Sequence, residues 1–165
     1  MGLFDLFNKG KKVTPTAPIS NIKTETHRVA GVEYHADSFM KYATEDPYYK
    51  LDKKSIIAKK LTEQSIWEYT FNFPDISLVE EPTNPQDSNA IQVIAGDALL
   101  GYIKKGSCSH VKRLLHDGNI TSITLKKFNY GKYKKIIECY EEGHYELDKG
   151  TSKGYAEIEI TYKEL

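Results

Sequence analysis

The sequence predicts a mainly β fold with a few short helices, on three observations. Several stretches alternate apolar and polar residues with the period of a strand. The longest helical pattern covers only about three turns. Gly-bearing turn signals separate the alternating stretches. At 165 residues the chain exceeds the about 100 at which one core is comfortable and falls short of two ordinary domains. The reading is one domain, residues 27–165, behind an N-terminal appendage, residues 1–26.

The appendage opens with Leu3, Phe4, Leu6 and Phe7 on one face of a turn or two, followed by Lys9, Lys11 and Lys12. This could contact a membrane surface or a protein partner, and the plainer reading is a docking turn or a frayed end. It is too short and too acidic at its start for a secretory signal, and Leu6 stands where a myristoylation signal wants Ser or Thr. Residues 10–26, with Pro15 and Pro18, read as a flexible linker.

The elements of the domain follow in order. Val29, Val32 and Tyr34 make a first strand, with Gly31 a bulge. Within residues 37–73, Asp37 can cap a short helix to Ala43, and Asp52 a second one carrying Ile56, Ile57 and Leu61. Trp67, Tyr69 and Phe71 alternate on a strand that Pro74 and Asp75 bend toward residues 76–79. A polar loop at residues 80–89 comes next. Pro82 and Pro85 fix its backbone, and Asn84, Asp87 and Asn89 can fold back onto nearby N–H groups.

Residues 90–94 and 99–103 form a hairpin with its turn near Gly96 and Asp97, and Lys104 and Lys105 follow at once. Ser107 or Ser109 starts a helix with Val111, Leu114 and Leu115 buried, and Gly118 ends it. Residues 120–128 and 133–140 read as a second hairpin turning at 129–132. Residues 141–154 read as an exposed loop. Ala156, Ile158 and Ile160 mark the closing strand.

Charge totals balance at 23 basic and 23 acidic residues, but their distribution does not. Residues 63–103 hold seven acids and no Lys or Arg, whereas residues 104–135 hold nine Lys/Arg against Asp117 alone. The second segment is a basic stripe with aromatics between the cations, a pattern suited to nucleic acid. The plainer reading for Lys112, Arg113, Lys126 and Lys127 is an ordinary solvated face. Cys108 and Cys139 make neither a disulfide framework nor a closed zinc site, and a reduced, cytoplasmic chain is expected. No apolar run reaches the length of a membrane span. His35, His110, His116 and His144 show no metal-ligand spacing. The phosphate-binding, nucleophile-elbow and dinucleotide motifs are missing, so no enzyme, metal or cofactor is expected.

Residues 81–91, E-P-x-N-P-x-D-x-N-A-I, with residues 101–105, G-Y-I-x-K, resemble the HIRAN domain. The resemblance runs from about residue 26 to the C-terminus and makes residues 37–73 a helical insertion. It implies an OB-like β-barrel of a family found alone in bacteria and fused to repair translocases in eukaryotes. It also implies binding of single-stranded DNA, especially a free 3′ end, in repair or replication.

The residues matching the family's pocket are Tyr34, Asn84, Asp87, Tyr102 and Lys105. By that resemblance Tyr34 stacks on the last base, Asp87 accepts from the 3′ hydroxyl and Lys105 pairs with a phosphate. His35 and Lys104 flank the pocket, and Tyr130 or Tyr133 could supply a further platform. Where end-binding members carry Arg, Tyr and Tyr, this chain has Glu33, His35 and Gln86, which leaves general single-strand or RNA binding open. For Tyr34 and Tyr102 the null is a ring packed at a barrel rim, and for the three loop side chains it is bracing alone. The alternative function is a protein-interaction or membrane-peripheral adaptor that uses the barrel as a scaffold.

Overall fold

A computed structural model describes residues 21–141 and 143–164. The apolar N-terminal turn and the first half of the linker lie outside them. Among the described residues nine strands are present: β1 (Asn21–Ala30), β2 (Ala43–Glu45), β3 (Ile66–Trp67), β4 (Tyr69–Phe71), β5 (Ile76–Glu80), β6 (Ile91–Ala95), β7 (Ala98–Ile103), β8 (Ile120–Glu138) and β9 (Tyr145–Glu164). Three short helices, α1 (Ala36–Phe39), α2 (Lys53–Ala58) and α3 (Cys108–Asp117), complete the mainly β fold that the sequence predicts.

Seven strands form one antiparallel sheet in the order β3-β8-β9-β1-β7-β6-β5, and β2 pairs with β4 in a separate ribbon. The large sheet coils so that β5 approaches the first half of β8. Ile76 shares a cavity with Ile123, Thr124 and Leu125, which Phe71 and Phe73 also line. The concave side holds the core, where Phe39, Ile91, Leu100, Val111, Ile158 and Ile160 are fully buried. Each such side chain contributes about 1.5–3 kcal/mol of transfer free energy. Phe39, from the insertion, meets Phe71, Phe128 and Tyr130 edge-on at 5.8, 5.2 and 5.1 Å. A second small cluster of Ile56, Ile66 and Ile136 lies beneath α2. Asp52 caps this helix as expected, accepting the Ser55 N–H at 2.8 Å.

Several local expectations change. Asp37 does not cap a helix to Ala43: α1 starts at Ala36 behind His35, with Asp37 in its first turn, and ends at Phe39, and Ala43 begins β2. β1 starts at Asn21 and pairs with β9 from Asn21↔Glu164 to Val29↔Ala156, so residues 21–26 are strand rather than linker. It ends at Ala30, because Gly31 turns left-handed (φ 76°) and Val32–Tyr34 wind into a 3₁₀ turn, which removes Tyr34 from any strand. The strand expected at residues 66–71 is divided at Glu68, whose N–H donates to Lys132 while its carbonyl accepts from Asp46. The first half therefore joins β8 and the second joins β2.

The largest change is in the second hairpin. Residues 129–132 are not a turn, since β8 runs through them and pairs with β9 as far as Glu138↔Tyr145. Gly131 (φ 91°) is a bulge, and Ser152 and Asn129 hydrogen-bond across the strands at 2.7 Å. Residues 145–154, expected as loop, are the strand that makes this extension possible.

Candidate nucleic-acid pocket

Three segments meet where β1 and β7 part: the turn after β1, the polar loop between β5 and β6, and the exit of β7. β1 pairs with β7 over Val29↔Ile103 and Ala30↔Tyr102. Close approach there depends on Gly101, since a Cβ on it would lie 2.4 Å from the Ala30 carbonyl oxygen. Beyond this crossing the backbones diverge around an open pocket of about 490 Å³. Six predicted side chains, those of Tyr34, His35, Asn84, Asp87, Tyr102 and Lys105, line it together with Gln86 and Cys108.

The loop holds its own shape. Asn84 Oδ1 accepts the N–H groups of Gln86 (2.9 Å) and Asp87 (3.2 Å), and its Nδ2 donates to Glu81 Oε2 at 2.9 Å. Asp87 Oδ1 accepts the Asn89 N–H at 2.9 Å, which orients the carboxylate. Among the described residues no hydrogen bond engages Asp87 Oδ2. The Asn84 amide and then the Tyr102 hydroxyl hold the Glu81 carboxyl below its usual range. Tyr102 is pushed up, first by burial and then by Glu81. The Tyr102 ring packs 5.8 Å from His35, whose imidazole is lowered by burial, which favours its neutral form. Tyr34 is 79% exposed, with a ring free to take a flat partner.

Cys108 forms part of the pocket wall, a role that nothing in the sequence signalled. It is 2% exposed, its thiol is raised by burial and then by the Asp87 charge, and it donates to the Ile103 carbonyl oxygen at 3.4 Å. That is the environment of an inert structural thiol.

Two predicted residues lie elsewhere. Lys104 lines an adjoining cavity with Arg28 and Glu33, sharing Ala30 and Gly31 with the first. Arg28 was missed because a strand cation carries no motif; its guanidinium lies 4.7 Å from the Tyr155 ring centroid. Tyr133 lies on the outer half of β8, packed on Trp67 at 4.9 Å, and Tyr130 packs on Phe39, so neither faces the pocket.

The basic stripe also divides. Lys112 faces Glu80 at 3.6 Å, Lys126 faces Glu159 at 3.6 Å, and Lys134 donates to the Leu51 carbonyl oxygen at 2.5 Å. On α3, His110 meets Glu25 at 2.7 Å and His116 meets Glu80 at 3.0 Å. These contacts fasten the helix to the sheet and partly neutralise its cations. Among the described residues no carboxylate lies within ion-pair distance of Lys104 or Lys105.

No described helix is long and apolar enough to cross a membrane. The HIRAN domain family matches residues 62–140. The crystal structure of the HIRAN domain of human HLTF aligns over 85% of this chain and 74% of its own at 13% identity, with a TM-score of 0.39. The crystal structure of a protein from Lactobacillus plantarum aligns over 86% of this chain and 100% of its own at 15% identity, with a TM-score of 0.34. No curated protein matches.

Proposed function

Because this chain is a HIRAN-domain protein, from a family of DNA-binding modules, we propose that its pocket holds the free 3′ end of single-stranded DNA without catalysing a reaction. One observation carries the reading: an exposed aromatic ring, an oriented carboxylate with an uncommitted oxygen and an unpaired lysine share one cavity. Tyr34 stacks on the terminal base, Asp87 Oδ2 accepts from the 3′ hydroxyl, and Lys105 meets the adjacent phosphate. Asn84 keeps Asp87 in place. Tyr102 and His35 wall the site as a packed pair, which fits an imidazole that favours its neutral form.

A carboxylate acceptor gives the reading its specificity, since a 3′ phosphate would put negative charge against Asp87. A module that retains 3′ hydroxyl ends serves repair or replication, the processes that generate and extend such ends.

The test is fluorescence anisotropy of a short labelled strand ending in a 3′ hydroxyl, beside the same strand 3′-phosphorylated. Wild type is expected to prefer the hydroxyl by about tenfold, the worth of one hydrogen bond to a charged group, and Asp87→Ala to lose the preference. Equal affinity for both ends in wild type would reduce the function to general single-strand binding. No binding at low salt would sink the nucleic-acid reading and turn the search to protein partners.

A further inference from the structure

The register of the β8–β9 ribbon aligns three metal-ligating side chains that the pocket does not use. Glu138 pairs with Tyr145 and Ile137 with Glu146. One step further out, the Cys139 N–H donates to the His144 carbonyl oxygen at 2.8 Å. Cys139 and His144 are therefore cross-strand neighbours, and Glu146 lies two residues along from His144. Side chains alternate between the faces of a sheet, so all three project from the same one. The side-chain positions agree: one donor atom from each of Cys139, His144 and Glu146 lies within 4.8 Å of the other two.

We infer that Cys139, His144 and Glu146 bind a divalent transition-metal ion, zinc first, at the open end of the β8–β9 ribbon. One sulfur, one imidazole nitrogen and one carboxylate oxygen match the borderline character of zinc and leave the fourth tetrahedral position to water. The sequence hides this set because a Cys-x4-His-x-Glu run lacks the paired cysteines of a zinc motif; strand pairing brings it together. His144 and Glu146 are 60% and 70% exposed, so an ion can enter from solvent.

Local electrostatics favour a cation. Burial and then the Glu146 charge raise the Cys139 thiol, with Glu63 adding to the effect and Lys53 opposing it. A bound dication reverses that balance: the thiol proton goes to solvent and the thiolate sulfur takes the metal. Bound metal would tie β8 to β9 where their ladder ends.

The experiment is titration of the untagged full-length chain with Co²⁺, followed by Zn²⁺. The expected result is a near-ultraviolet sulfur-to-cobalt charge-transfer band that saturates at one equivalent and is displaced by Zn²⁺. It is lost in Cys139→Ser and kept in Cys108→Ser. His144→Ala is expected to weaken Co²⁺ by more than the about 10–100-fold that loss of an outer-shell partner costs. Circular dichroism checks that each variant folds. If Cys139→Ser does not fold, His144→Ala decides, and unchanged affinity there overturns the proposal. It is equally overturned by no band in folded wild type, by a band that survives in Cys139→Ser, or by one that depends on Cys108.

Discussion

Asn84 is committed to holding its own loop, with Oδ1 on two backbone N–H groups and one Nδ2 N–H on Glu81, and through the loop it fixes Asp87. Gly101 is committed in the same way. Its absent side chain admits the Ala30 carbonyl, and the Cβ of Gly101→Ala would lie 2.4 Å from that oxygen and 2.9 Å from Val29 Cγ1. Backbone cannot swing aside as a side-chain end can, so this substitution is expected to cost about 3 kcal/mol, read from the midpoint of urea denaturation. An unchanged midpoint would mean that β1 and β7 do not cross as closely as described. At this scale the sequence was legible where a residue's job is local. The bracing by Asn84 and Asp87, the Asp52 cap and the end of α3 at Gly118 all involve partners within a few positions. Arg28 reaches the wall of the adjoining cavity through the pairing of β1 with β9, which no local pattern encodes, and Cys108 faces a loop that lies about twenty residues before it in sequence.

The elements divide by the same rule. The first hairpin was readable because Gly96 and Asp97 form a two-residue turn between apolar runs. The long ribbon was not, because Asn129, Gly131 and Lys132 have turn composition, and only the 20-residue partner strand β9 makes a bulge of them. Its outer half rests on Tyr133, whose ring lies over Gly150 and against Trp67, the single tryptophan of the chain. A Cβ at Gly150 would meet the far end of that ring at 2.5 Å, and the ring can swing away. Gly150→Ala is therefore expected to cost only about 1 kcal/mol while shifting Trp67 emission to longer wavelength as the ring uncovers the indole. Affinity for single-stranded DNA should not change, because Tyr133 lies off the pocket; a large loss would bring the outer ribbon back into the binding surface.

For the whole molecule the question is how many cations meet DNA. A chain of formal net charge +0 exerts little long-range attraction on a polyanion, so the local field must provide what electrostatic affinity there is. In sequence the stripe offers nine cations. In the fold, Lys112 and Lys126 face carboxylates and Lys134 is bound to a backbone carbonyl. Arg113, Lys127, Lys132 and Lys135 lie outside the pocket, Lys105 lines it, and Lys104 and Arg28 line the cavity beside it. Single-strand binding loses affinity with a log–log salt slope of about −0.7 per neutralised phosphate, so two or three contacts give about −1.4 to −2, against about −6 if all the stripe took part. Lys105→Ala should flatten the slope by about 0.7 and weaken every strand alike, whereas Asp87→Ala should leave the slope as it was and change only the choice of end. Anisotropy titrations across a range of salt concentrations measure both. A slope near −6 would move the binding surface from the pocket to α3 and the face of β8.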